Sequence, residues 1–100
     1  MSTQEQKKIR KLLKLELSAP SFEKDKTAWR LPNGEFHREF GPAIEYKNGV
    51  KCWFENGRRH NAKGPAYIYP DGKEEYWIDG EQFSHEEFIQ WIEDDYAEEN

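Results

Sequence analysis

The sequence predicts an α+β domain, an antiparallel β-meander flanked by one helix at each end. Three observations predict it. A block in the middle of the chain recurs after 23 residues, Asn-Gly or Asp-Gly dipeptides punctuate that block, and helix-period apolar stripes occur only near the two termini. The expected boundaries are an amphipathic helix over residues 1–20, a repeat sheet over 27–83 and a closing helix over 84–97, all in one domain.

The repeat is read directly from the residues. Gly34, His37, Gly41, Pro42 and Ala43 recur as Gly57, His60, Gly64, Pro65 and Ala66. In the same register Tyr46 falls on Tyr69, Trp53-Phe54 on Tyr76-Trp77, and Asn56-Gly57 on Asp79-Gly80. Asn-Gly and Asp-Gly pairs begin at 33, 48, 56, 71 and 79. Both residues of such a pair tolerate positive φ, so each predicts a type I′ turn. Successive starts lie 15, 8, 15 and 8 residues apart. The short interval leaves room for one strand, Val50–Glu55 in one copy and Lys73–Ile78 in the next, both rich in aromatic or β-branched residues. The long interval contains Gly41-Pro42 or Gly64-Pro65, expected as a corner between two shorter strands.

A unit reading aromatic, Asn-Gly, two residues, His-Arg, two residues, Gly-Pro-Ala resembles the MORN repeat, and more closely its MORN-like variant in phage and bacterial proteins. Trp29 to Ala43 with His37-Arg38 carries the pattern, and so does Trp53 to Ala66 with His60-Asn61. Asn61 departs from it, which implies that the role of Arg38 does not recur. A third copy stops at Gly80, with Phe83 at the His position. The resemblance implies a scaffold or interaction module, with lipid binding an alternative, and a phage-encoded accessory protein or inhibitor acting on a host protein.

Composition narrows the field. The chain has 100 residues, 35% of them hydrophobic and 35% charged, with six Phe, five Tyr and four Trp. One modest core is expected, built largely from aromatics. A net charge of −5 argues against nucleic acid as a partner and mildly against anionic membranes. The single cysteine, Cys52, has no internal partner for a disulfide, as expected in a reducing cytoplasm.

In chain order, Ile9, Leu12, Leu13 and Leu17 form a helical stripe over residues 2–18. Lys7, Lys8, Arg10, Lys11 and Lys14 surround it, so the helix either packs on the sheet or meets an acidic partner or membrane surface. Ala19-Pro20 should end it, Ser21–Lys26 should connect, and Thr27–Leu31 should be the first strand. Alternation puts Val50, Cys52 and Phe54 on one face of their strand, with Lys51, Trp53 and Glu55 on the other. Tyr76 and Ile78 oppose Glu75 and Trp77 in the same way. Aromatics on both faces leave two readings: one face covered by helices and one carrying an exposed aromatic patch, or both faces mostly covered. Trp29, Trp53, Tyr67, Tyr69 and Trp77 are the candidate partner-binding residues on an open face. At the end, Ser84 and Glu87 form a capping box, Phe83 and Phe88 a hydrophobic staple, and Phe88, Ile89, Trp91, Ile92 and Tyr96 a helical stripe. Eight acidic residues and no Lys or Arg lie from Glu81 onward. That helix can pair with the basic one, engage a basic protein, imitate DNA phosphates, or simply be solvated.

His37 and His60 are the obvious catalytic suspects, or a two-His metal site, and their equivalence in successive copies favours a structural role. No zinc spacing, catalytic triad, phosphate loop or dinucleotide fingerprint is present, so no cofactor, metal or catalytic residue is expected. The expected function is non-enzymatic binding of another protein. A peripheral membrane module is the alternative, a small enzyme using His37 or His60 ranks third, and a homodimer through a sheet edge remains open.

Overall fold

The computed structural model describes residues 16–99, with 96–99 described in backbone only. Seven strands form the main sheet: β1 (Ala19–Phe22), β2 (Lys26–Arg30), β3 (Ile44–Tyr46), β4 (Lys51–Cys52), β7 (Tyr67–Ile68), β8 (Glu74–Ile78) and β9 (Glu81–Phe83), in that spatial order and all antiparallel. A side hairpin, β5 (Phe54–Glu55) with β6 (Arg58–Arg59), sits between β4 and β7 in sequence. One helix, α1 (His85–Glu99), follows β9. The antiparallel α+β meander is therefore as expected at the level of fold class.

Most of the expected N-terminal helix lies outside the described residues. Residues 16–18 are not helical, and Ser21–Phe22 is strand rather than connector. The reading of Pro20 as a helix stop missed a second use of proline. Trp29, opposite Pro20, sends its N–H to Ala43 O on the far side of β2. Pro20 therefore faces the solvent edge, where its missing donor costs nothing and deprives another chain of a pairing point.

Two other expectations are corrected. Val50–Glu55 is not one strand: the Trp53 N–H binds Ala66 O in the main sheet, but its carbonyl accepts from His60 N–H in the side hairpin. The chain changes partner at that residue. Nor are all five turns type I′. Asn56-Gly57 (φ 51° and 80°) and Asp79-Gly80 (φ 49° and 84°) fit, but at 33–34, 48–49 and 71–72 only the glycine has positive φ. In the latter a three-residue loop closes by Gly49 N–H to Tyr46 O and Tyr46 N–H to Val50 O, with the same bonds at Gly72, Tyr69 and Lys73. Pro32 and Pro70 hold φ negative at the first position of two of these loops, which suits this geometry, while Lys47 takes it in the third without a proline.

The register divides the sheet into two faces. Ser21, Ala28, Ile44, Cys52, Tyr67 and Glu75 stand opposite one another in one row across six strands. Phe22, Thr27, Glu45, Lys51, Ile68 and Glu74 form the row behind. The first row contains the core: Ala28, Ile44, Val50 and Cys52 are buried, with Phe36, Tyr46, Phe54 and Tyr67 packed on them. α1 covers the other face at its C-terminal end, where Phe88 meets Tyr76 at 4.8 Å between ring centres. The expected capping box is present in both directions. Ser84 N–H donates to Glu87 Oε1 at 2.8 Å, and Glu87 N–H donates to Ser84 Oγ at 3.1 Å. Ser84→Ala should lower stability by about 1 kcal/mol in chemical denaturation, chiefly by fraying the first turn of α1.

Candidate interaction surface

The Gly-Pro corners show how the loops are built. His37 is buried, and its Nδ1 accepts the N–H of Asn56, the positive-φ residue of the next hairpin turn, at 3.0 Å. Its Nε2 then carries the proton toward Glu39 Oε1 at 2.8 Å. His60 does the same one copy later: Nδ1 accepts from Asp79 N–H at 2.9 Å and Nε2 lies 3.4 Å from Glu55 Oε2. Each ring thus pins the turn that follows, a structural role as expected, and does so one hairpin on rather than at its own Gly-Pro corner. Further backbone bonds recur with an offset of 23. Gly57 N–H to Phe36 O matches Gly80 N–H to Arg59 O, and Ala43 N–H to Cys52 O matches Ala66 N–H to Glu75 O.

Arg38 and Asn61 also correspond, against the expectation that the arginine's role would not recur. Arg38 donates to Pro42 O at 3.1 Å, and Asn61 Nδ2 donates to Pro65 O at 2.9 Å. A short amide reaches the corner carbonyl as well as a guanidinium does. Two contacts are particular to the arginine: Arg38 covers the Trp29 ring at 3.7 Å and pairs with Glu45 at 3.6 Å, which asparagine cannot do.

The five candidate binding residues do not form one row. Trp29 is half-buried beneath Arg38 on the helix-bearing face. Trp53 lines a cavity of about 450 Å³ between the 38–41 and 60–63 loops. Tyr67, Tyr69 and Trp77 come together on the opposite face, the one no helix covers among the described residues. Tyr69 is exposed, and its ring lies tilted against Tyr67 with centres 4.7 Å apart. Its hydroxyl donates to Glu75 Oε2 at 2.5 Å, while Trp77 Nε1–H donates to Glu75 Oε1 at 2.9 Å.

Residues that the sequence did not single out complete this surface. The Arg59 guanidinium lies 4.8 Å from the centre of Tyr67, 5.0 Å from Trp77 and 5.5 Å from Phe54. Its buried Nε has no acceptor. Phe54 continues to Phe36 at 5.3 Å, Arg30 caps Phe36 at 4.8 Å, and Lys26 caps Tyr46 at 5.5 Å. Between them a groove of about 440 Å³ runs over Ile44, Val50 and Cys52. The signal for Arg59 was present in the register: it occupies the place of Phe36 one copy later, directly before the histidine.

Electrostatics follow from these contacts. The hydrogen bond from Tyr69 holds the Glu75 carboxyl below the usual carboxylate range, with help from Trp77 and Arg59 against burial. The same bond raises the Tyr69 phenol above the usual tyrosine value. Burial raises Tyr67 and the Cys52 thiol, and Arg59 opposes both shifts. Because the folded Tyr69 value is raised, the bond to Glu75 contributes at pH below the unfolded tyrosine value and is lost as pH rises through the folded one. An ultraviolet titration of the chain against Tyr69→Phe should show that phenol ionising after an ordinary tyrosine.

No helix among the described residues is long and apolar enough to cross a membrane. Neither a protein-family model, nor a curated protein, nor a solved structure matches this chain.

Proposed function

We propose that this chain is a non-enzymatic protein-binding module of MORN-like repeats that engages its partner through the groove face. The observation that carries this is the half-buried set of rings around Arg59, continued by Phe36, Tyr46 and Tyr69 along the sheet face that no helix covers among the described residues. Aromatic residues and arginine concentrate binding energy at protein interfaces. The bonds that recur with an offset of 23 support the repeat reading. Both histidines hold backbone amides of turns, and His37 does so out of reach of any substrate, which supports a structural rather than catalytic pair. The free, buried Cys52 is compatible with a reducing cytoplasm. Action as a phage accessory protein or inhibitor on a host protein rests on the sequence resemblance alone.

The test is retention of bacterial proteins on the immobilised full chain, on Tyr69→Ala, and on Lys51→Ala as a control on the other face. A protein held by the unaltered chain and the control but released by Tyr69→Ala is the expected result. Equal retention on all three would remove the groove face as the site.

A further inference from the structure

Arg59 and Lys26 are both half-buried, both lie against aromatic rings, and both line the groove over Val50 and Cys52. Among the described residues, neither has a carboxylate within ion-pair distance. The chain as a whole carries 20 acidic against 15 basic side chains, so two cations without a direct ion pair on one face, among the described residues, run against its overall charge. Glu75 shares the face, but its two oxygens already accept from Tyr69 and Trp77. Arg30, the third cation there, is paired with Glu23 at 3.0 Å.

A guanidinium between rings is poorly hydrated and keeps its preference for a planar carboxylate. The rings hold it in place, so little rotamer entropy remains to be lost on pairing. Between the two cations the groove floor is apolar and contains no charged side chain. We propose that the groove takes an acidic–apolar segment of a partner protein, with carboxylates meeting Arg59 and Lys26 and apolar side chains between them over Val50 and Cys52. This rests on the groove face being the binding surface and adds the chemistry of what it binds.

The probe is a short synthetic peptide with a central Leu-Phe pair and glutamates on both sides, beside versions carrying glutamine or lysine in their place. Binding to the full chain is followed by calorimetry and by NMR shifts of the Trp77 indole N–H. The glutamate peptide should bind about tenfold more tightly than the glutamine peptide, with the advantage shrinking as salt rises. Arg59→Gln should remove most of that advantage and Arg59→Lys should retain part of it, whereas Lys51→Gln on the opposite face should change nothing. Circular dichroism of each variant separates lost recognition from lost folding. If the glutamate and glutamine peptides bind equally and both shift Trp77, carboxylate recognition is overturned and the binding face stands. Preference for the lysine peptide, or shifts confined to the 38–41 and 60–63 loops, also overturns it. If no peptide perturbs Trp77, both readings fall.

Discussion

Phe88→Ala is expected to lower stability by about 3–5 kcal/mol, the usual range for deleting a buried phenylalanine. Phe88 is 3% exposed, rests on Tyr76 at 4.8 Å and lies 6.2 Å from Trp91. It is the only fully buried side chain that α1 contributes among the described residues. Losing it removes the anchor between the helix and β8. The loss should therefore be uneven. Amide exchange in α1 should accelerate well before that in β3 and β4, whose core of Ile44, Val50 and Cys52 the helix does not touch. Uniform acceleration across the chain would show that helix and sheet unfold as one unit. A cost below about 1 kcal/mol would show that Phe88 does not anchor the helix.

His37→Ala is expected to cost about 3 kcal/mol, combining a stranded backbone donor with the cavity left by a buried ring. The ring is 2% exposed, and the Asn56 N–H it accepts belongs to a turn residue at φ 51°. Without the acceptor, that turn keeps its unfavourable backbone conformation and loses a hydrogen bond that supports it. His60→Ala should cost clearly less. The His60 side chain is 13% exposed, so water can reach the Asp79 amide. His37→Gln, which can offer an amide oxygen to Asn56, should recover part of the loss. Denaturant midpoints for the three variants decide the order. Equal costs at both positions would mean that the shared bond, and not burial, sets the cost.

The two histidines show where sequence reasoning reached and where it stopped. Their equivalence was legible, and it pointed to structure over catalysis. Their partners were not legible, because the bond runs from a loop to the turn of the following copy, 19 residues on. Arg59 is similar. Its position was readable, but its setting among Phe54, Tyr67 and Trp77 depends on three strands and a side hairpin coming together.

Local chemistry is what the sequence determined by itself. The capping box of α1, the type I′ turns at 56–57 and 79–80, and the in–out alternation at Val50, Cys52 and Phe54 each depend on residues a few positions apart. At 33–34 and 71–72 the three-residue loops were also favoured locally, by Pro32 and Pro70, although the Asn-Gly and Asp-Gly signal obscured them; the loop at 48–49 carries no such proline. Tertiary structure alone decided the rest. It made Ala19–Phe22 an edge strand, because pairing with β2 outweighs the local stop signal of Pro20. It also divided five candidate aromatics between two faces and a loop cavity: Trp29 falls on the face opposite the core row, Tyr67, Tyr69 and Trp77 on the core-row face, and Trp53, where the chain changes partner, turns to the loop cavity. Strand pairing is a long-range interaction, and no local pattern specifies which partner a residue will find.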